Sequence, residues 1–176
     1  MKDKTTIIAI VGKSGSGKTT LTKIANEKLG VKYVVSYTTR PKRDEEVDGV
    51  DHWFVDDTIM PDKDCMLAYT LYGGYHYWVA HDQMVPGGIY TYVINEEALV
   101  EMINKFGYKY NFITVYVDRL NIDVSKDRTI RDDNRFELNK TFYDYIIFND
   151  GSFEEFTNNI IECISLILDK IENNNH

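Results

Sequence analysis

The chain has 176 residues, of which 43% are hydrophobic and 27% charged, a composition that fits one globular domain and argues against a disordered or fibrous protein. No apolar run approaches the roughly 18 to 20 residues that a membrane span needs, and the first residues do not resemble a secretory signal. The net charge of −8 argues against general binding to nucleic acid polymers or to an anionic membrane.

Two further features of the composition indicate where the protein works and what it binds. Cys65 and Cys163 lie far apart and form no CxxC pair, so we expect a reducing, cytoplasmic location and no structural zinc. Between Lys13 and Arg43 there are eight lysines or arginines and one acid, a local net charge of +7 within an acidic protein. This concentration of cations predicts a binding site for a small anion.

The first third of the chain predicts a strand, a helix and a second strand. Residues 5–11 form an apolar, β-branched run that is typical of a strand buried on both faces. Residues 18–29 carry apolar side chains at helical spacing, and Gly30 follows as a stop. With a second strand at 31–36, the unit requires a crossover connection and a parallel pair of strands.

The rest of the chain predicts an inserted lobe and then a return to alternating strands and helices. Residues 37–50 are polar and indicate an exposed loop, whereas residues 51–80 are rich in aromatics and indicate short antiparallel strands. The later elements are strands at 89–94, 112–117 and 145–148 and helices at 96–106 and 153–171. The predicted fold is therefore α/β, a parallel sheet with helices on both faces and a small inserted lobe.

The segment 12–19, GKSGSGKT, matches the phosphate-loop pattern GxxxxGK[ST], and it lies between a predicted strand and a predicted helix as that motif requires. Glycines let backbone N–H groups turn toward a phosphate, and the start of the helix adds partial positive charge. Lys18 would neutralise the β and γ phosphates of ATP, and the Thr19 hydroxyl would ligate Mg²⁺. The candidate ATP-binding residues here are Gly12, Ser14, Gly15, Ser16, Gly17, Lys18, Thr19 and Thr20.

The class of phosphate-loop protein can be narrowed by absences in the sequence. A GTPase should carry NKxD to recognise guanine and DxxG to sense the γ phosphate, and neither tetrad occurs. A motor or helicase core needs a much longer chain. A small phosphotransferase remains.

A second cluster of cations and hydroxyls, SYTTRPKR at 36–43, follows the second predicted strand. Two arginines three residues apart, with hydroxyls beside them, suit a phosphate approached from several sides. From Ser36 to Val55 the sequence resembles the signature of the guanylate kinase family without a gap, and His52 stands where that family has tyrosine. Looser similarity to the family continues at 74–77 and at 145–150.

The resemblance implies an ATP- and Mg²⁺-dependent nucleoside monophosphate (NMP) kinase of guanylate kinase-like fold, with GMP or dGMP as the first expectation for the acceptor. It also implies three parts within a single domain. These are a core at 1–36, 81–117 and 141–176, an NMP-binding lobe at about 37–80 and a short lid at about 118–140.

The resemblance further assigns roles to individual residues. Ser36, Arg40, Arg43 and Tyr77 would hold the acceptor phosphate, and Asn149 would touch the adenine of ATP. His52 either replaces the tyrosine hydroxyl of the family or packs as an aromatic ring against Trp53.

Three arginines in the predicted lid, Arg128, Arg131 and Arg135, have i, i+3, i+7 spacing, so a helix would present all three on one side. The resemblance implies that, with Lys18, they stabilise the transferred phosphoryl group. The alternative is a solvated helix in which neighbouring aspartates pair with these arginines.

The base-reading positions of the family are altered. Guanine presents N1–H and N2–H₂ donors, and the family is understood to meet them with carboxylates. Alignment places Ala68, Val79 and Asn95 at the base-reading positions. Either the acceptor base differs from guanine, or other groups read it, such as Asn95, Glu96, Tyr69 or Thr70. The remaining alternative is a non-catalytic binding module, which the intact phosphate-loop residues disfavour.

Overall fold

The computed structural model describes residues 4–120 and 136–174. In chain order its main elements are β1 (Thr6–Val11), α1 (Lys18–Leu29), β2 (Lys32–Tyr33), β3 (Tyr37–Thr38), β4 (Trp53–Phe54), β5 (Met66–Tyr72), β6 (Tyr75–Ala80), β7 (Ile89–Val93), α2 (Glu96–Phe106), β8 (Asn111–Asp118), β9 (Tyr145–Phe148) and α3 (Phe153–Asn174). Single 3₁₀ turns occur at Asp57–Ile59, Lys63–Cys65, His81–Gln83 and Lys140–Phe142.

The central layer is a five-stranded sheet in the order β2-β7-β1-β8-β9, and all of its strand pairs are parallel. All six residues of β1 are buried, because the side chains of a strand alternate between two covered faces. Ile8 and Ile10 pack in the apolar cluster of α1 and α3, whereas Ile7, Ala9 and Val11 pack in that of α2. The sheet thus has helices on both faces.

A second, four-stranded sheet forms the lobe, in the order β4-β3-β6-β5. Its β3–β4 pair is parallel and its β3–β6 and β5–β6 pairs are antiparallel. Aromatic rings fill one face: Tyr37 stacks on Trp53 at 6.4 Å and on Trp78 at 5.4 Å between ring centroids. Strand β5 joins the lobe to the core, since Leu67 and Ala68 share an apolar cluster with α2.

The predicted fold class is confirmed, and α1, α2 and β9 have the predicted bounds. The second predicted strand, 31–36, was wrong in length, because only Lys32–Tyr33 pairs in the central sheet. The Val34 N–H still donates to Thr91 O, but beyond it the chain turns into the lobe, where Ser36 O accepts from Trp53 N. The first two strands, β1 and β2, were expected to form a parallel pair. They are parallel members of one sheet, but β7 lies between them and pairs with both.

Among the described residues, no helix is both long enough and apolar enough to cross a membrane.

Helix α3 offers a matched test of the core. Ile164 is fully buried against the sheet, whereas Leu166, on the same helix, is 50% exposed. We expect Ile164→Ala to lower the free energy of unfolding by about 2 to 5 kcal/mol, because it removes buried apolar volume and leaves a cavity. Leu166→Ala should cost less than about 1 kcal/mol. Urea denaturation measures both, and equal losses would contradict the packing described.

Candidate functional site

The phosphate loop turns sharply between β1 and α1 through three glycines with positive φ, namely Gly12 (154°), Gly15 (76°) and Gly17 (107°). A Cβ on Gly12 would lie 2.6 Å from Val117 O, and one on Gly17 would lie 2.7 Å from Asn149 Nδ2. Both contacts are closer than real Cβ atoms make, so these positions need glycine for space as well as for φ. The Lys18 Nζ donates to Gly12 O and Lys13 O, both at 2.7 Å, and so spans the loop.

The first turn of α1 suits an anion. Its N-cap is Gly17, which supplies no side-chain hydrogen bond, and no acid lies in the first turn. The Ser16 Oγ, on a fully buried residue of the loop, has no hydrogen-bond partner among the described residues. A phosphate oxygen held by the loop would meet this need, so the residues present fit the triphosphate of ATP.

A cavity of about 440 Å³ opens beside the loop, and it brings together parts of the chain that are distant in sequence. The Asn149 Nδ2 donates to Ser16 O at 2.7 Å, and the Arg119 Nη1 donates to Gly15 O at 3.3 Å. Asn149 therefore holds the loop while it also lines the cavity. The lining residues are Gly15, Gly17, Lys18, Thr19, Thr20, Arg119, Asn149, Gly151, Phe153 and Phe156.

The candidate ligand for Mg²⁺, Thr19, is exposed at the mouth of this cavity. Within 4–120 and 136–174, no group of three or more histidine, cysteine, aspartate or glutamate side chains is arranged to hold a metal. A magnesium ion at Thr19 would therefore take most of its ligands from phosphate and water, which is usual for this ion.

The second predicted phosphate site is assembled from strand β6 of the lobe sheet and from the segments that flank β3 and precede β4. The Ser36 Oγ lies 2.9 Å from His52 Nδ1. The Arg40 Nε donates to the Tyr77 hydroxyl at 3.2 Å, and the Tyr77 and His52 rings meet edge to face at 5.7 Å. Four of the five predicted acceptor-phosphate residues thus form one connected cluster, although they span 41 positions of sequence.

Glu46, which the sequence did not single out, fixes Arg40 in this cluster. Its carboxylate accepts from Arg40 Nη1 at 2.9 Å and Nη2 at 2.7 Å, and the pair is 11% and 17% exposed. The guanidinium lowers the pKa of Glu46 to about 2. Arg40 also donates to Pro41 O and Tyr77, so most of its five N–H groups already have partners.

The Arg43 side chain is less restrained than that of Arg40. Its side chain is 52% exposed, and its Nη1 lies 3.9 Å from the Glu46 carboxylate, which is a loose ion pair. Its backbone N–H donates to the same carboxylate at 2.9 Å. The backbone of Arg43 is therefore fixed, while the guanidinium can move toward a ligand.

A contact links helix α1 to the lobe segment that carries His52. Lys23, on the exposed side of α1, lies 3.9 Å from Asp51, the residue before His52. The helix that begins at the phosphate loop therefore runs beside the segment that carries His52. Transfer of a phosphoryl group requires a donor site and an acceptor site close to each other.

The predicted base-reading positions lie in two different environments. Ala68 and Val79 pair across β5 and β6 and are 7% and 0% exposed, in the apolar cluster with α2. They offer a base no polar atom. Asn95 is exposed, but its Oδ1 accepts from Ala98 N at 2.8 Å as the N-cap of α2.

The other groups considered for the base can be separated by the strand register. Tyr69 pairs with Trp78, and its hydroxyl lies 2.8 Å from His76 Nδ1, so it faces away from Tyr77. Glu96 is buried. Thr70 pairs directly with Tyr77 and shares its face of the lobe sheet.

The three predicted lid arginines, Arg128, Arg131 and Arg135, lie outside the described residues. The chain after them returns to the phosphate loop, since Lys13 Nζ lies 3.3 Å from Glu137 and the amino group of Lys140 pairs with Asp118.

Sequence reasoning missed Glu46, Arg119 and Asn149's contact with Ser16. The sequence does contain a signal for Glu46, since a carboxylate six residues after Arg40 in a polar turn can pair with that arginine. It contains no signal for Arg119, because the hydrogen bond to Gly15 spans 104 residues.

Comparison with known proteins agrees with this geometry. Residues 3–84 match the family model described as guanylate kinase. Two similar relatives are the guanylate kinases of Rhodopseudomonas palustris (57% identical over 44 residues) and Thermus thermophilus (39% over 74 residues). The fold resembles the crystal structure of guanylate kinase from Anaplasma phagocytophilum, with a TM-score of 0.65, 19% identity, and coverage of 97% of this chain and 88% of that one.

The similarity to guanylate kinases in sequence covers a little less than half of the chain. In sequence the relationship rests on the first half of the chain: the matches cover 24% and 40% of it, and they span only 20% and 34% of the length of the two relatives. In fold it extends over nearly the whole chain. Residues 3–84, which match the family model, contain the phosphate loop and all five residues of the predicted acceptor-phosphate site.

The Arg40–Glu46 pair generates a pH-dependent prediction. A carboxyl whose pKa falls from 4.5 to about 2 on folding stabilises the protein above pH 4.5, and that stability is lost as the pH falls toward 2. We expect Glu46→Gln to cost about 1 to 3 kcal/mol at pH 7 and to flatten this acid loss, as measured by urea unfolding from pH 7 to pH 3. The exposed neighbour provides the control, Glu45→Gln. Parallel pH curves for wild type and Glu46→Gln would refute the pair.

Proposed function

We propose that the protein is an ATP-dependent nucleoside monophosphate kinase that transfers the γ phosphate of ATP to the phosphate of a nucleoside monophosphate. The observation that supports this most directly is the presence of two clusters suited to phosphate in one chain, a glycine loop at the start of α1 and an arginine–hydroxyl cluster in the lobe, with α1 in contact with the segment that carries His52. A protein that only binds one nucleotide needs one such site. The division into core, lobe and lid belongs to the same proposal.

The proposed chemistry depends on position and charge and needs no general base. The loop N–H groups and Lys18 hold the ATP phosphates, and Mg²⁺, with Thr19 among its ligands, would neutralise part of their charge. In the lobe, Ser36 and Tyr77 present hydroxyls and Arg43 an adaptable cation. Arg40, already bonded to Glu46, has little capacity left and mainly supplies orientation. The lid arginines are proposed to stabilise the transferred group.

GMP or dGMP is the first proposal for the acceptor, because the similar relatives are named guanylate kinases. The second candidate is an NMP or dNMP kinase with another base preference, and a specific observation favours it. The predicted base-reading positions are buried apolar Ala68 and Val79 and a capping Asn95. The acceptor-phosphate cluster, in contrast, contains the polar side chains of Ser36, Arg40 and Tyr77. A non-catalytic binding module is disfavoured by the complete phosphate loop.

Lys18 should be necessary for transfer. We expect Lys18→Ala to lower kcat/KM by at least about a hundredfold, roughly 2.7 kcal/mol, because the ammonium meets charge that develops between the phosphates. Lys28→Ala, an exposed lysine in the last turn of the same helix, should stay within about twofold of wild type. A coupled assay of ADP release measures both. Activity of Lys18→Ala within fivefold of wild type would reject the assignment.

Guanine discrimination should be weaker than two carboxylate acceptors would give. Each unmet buried donor costs about 1 to 3 kcal/mol, so we expect at least one other NMP or dNMP to react within about a hundredfold of GMP in kcat/KM. The assay is ADP release with ATP against all common NMPs and dNMPs.

Asn95→Asp sharpens the test, because aspartate keeps the N-cap bond and adds a carboxylate oxygen. It should raise GMP activity relative to the other acceptors. A wild-type preference for GMP or dGMP above about ten-thousandfold would contradict the proposal.

A further inference from the structure

We propose that His52 is a positioning residue that orients the Ser36 hydroxyl toward the acceptor phosphate and links acceptor binding to proton uptake. This inference rests on the proposed function, because it concerns how the same cluster holds the phosphate of its acceptor.

The geometry fixes both partners. The Ser36 Oγ lies 2.9 Å from His52 Nδ1. The backbone holds them in place, since Trp53 N donates to Ser36 O at 3.0 Å and Gly49 N donates to His52 O at 2.8 Å. The imidazole is also held edge to face by two rings, Tyr77 at 5.7 Å and Phe54 at 5.8 Å. A ring restrained in this way has little freedom to turn its Nδ1 toward another partner.

The position of one proton decides what Ser36 offers to a ligand. If the neutral imidazole carries its proton on Nε2, the serine hydroxyl donates to Nδ1 and presents only lone pairs to the ligand. If Nδ1 carries the proton, it donates to Oγ, and the serine hydrogen is free to donate outward. Phosphate oxygens accept hydrogen bonds, so a bound acceptor selects the Nδ1-protonated forms, the tautomer or the imidazolium.

The surroundings of His52 set its state before the acceptor arrives. Burial and then the Arg40 guanidinium lower the pKa of His52, while Glu46, a hydrogen bond with the Ser36 backbone and Asp51 oppose this. The Tyr77 hydroxyl, whose ring also packs on His52, accepts from Arg40. The imidazole is therefore neutral at pH 7 in the free protein. A phosphate dianion beside Ser36 favours the imidazolium and raises this pKa. Binding then takes up a proton, and acceptor affinity rises as the pH falls.

A double-mutant cycle tests whether His52 acts through Ser36. Calorimetry gives Kd for GMP, or for the tightest-binding NMP of the panel, in wild type, Ser36→Ala, His52→Phe and the double variant, without ATP. Each single change should weaken binding about tenfold, and the double variant should be within about twofold of the weaker single. Effects that multiply toward a hundredfold would overturn the proposal, because His52 would then contact the phosphate independently.

Two comparisons keep this cycle interpretable. His76→Asn is the matched control, since His76 is bonded to Tyr69 on the opposite face of the lobe, and its Kd should match wild type. Thermal unfolding of each variant detects loss of structure. A wild-type protein that binds no NMP would reject the proposed function itself, whereas NMP binding with multiplying effects would reject only this inference.

The pH arm tests the link to protons. His52→Asn keeps a neutral N–H donor near the position of Nδ1 but cannot titrate near pH 7. Ionisation of the ligand phosphate near pH 6 affects every variant equally, so it cancels in the ratio of Kd for His52→Asn to Kd for wild type. That ratio should rise at least about threefold between pH 8.5 and pH 5.5, which requires a pKa increase of at least about half a unit on binding. A constant ratio would overturn the coupling.

Discussion

The burial of β1 on both faces is the constraint on which the phosphate loop depends. A slip of one residue in this strand would exchange the side chains that face α2 with those that face α1 and α3, so its register is fixed. The loop therefore starts at a defined point, with Gly12 beneath the carbonyl of Val117, and α1 starts at Gly17 beside Phe156. The packing of the core therefore fixes the position from which the loop presents its backbone N–H groups.

In the lobe, two cationic side chains, Arg40 and Arg43, lie close to each other and share one carboxylate partner. Glu46 holds the Arg40 guanidinium through two hydrogen bonds and neutralises most of its field, so Arg40 is rigid but contributes little net attraction. Arg43, with its exposed side chain, supplies attraction without rigidity. The two arginines have the same side chain, but they differ in mobility and in net charge effect because the Glu46 carboxylate binds Arg40 closely and Arg43 only loosely.

The sequence predicted those parts of the molecule that local periodicity and spacing determine. Helices α1 and α2 were predicted at their observed bounds because their apolar side chains repeat at helical spacing and glycine or a polar residue flanks them. The length of β2 could not be predicted, since it depends on where the chain leaves one sheet for the other. The contact of Asn149 with Ser16 joins residues 133 positions apart, and no local pattern records it.

In the lobe, too, local sequence patterns did not determine which side chains face the same side. The hydroxyls and arginines of residues 36–43 indicated a phosphate, but the alternation of faces on β5 and β6 was needed to separate Thr70 from Tyr69. A one-residue difference in position reverses which side of a strand is available to a ligand. Burial of Val79 likewise depends on α2, which lies some twenty residues further along the chain.

The stacking of Tyr37 between the two indoles has an optical consequence. The chain contains two tryptophans, Trp53 and Trp78, and both lie in the lobe. One indole is 40% exposed and directly follows His52, whereas the other is 2% exposed and shielded from water. Tryptophan emission of the whole protein therefore comes from the lobe alone, with a water-sensitive component from Trp53 and a shielded component from Trp78. The lobe thus carries its own fluorescent reporter, spectrally separate from the tyrosine-containing core.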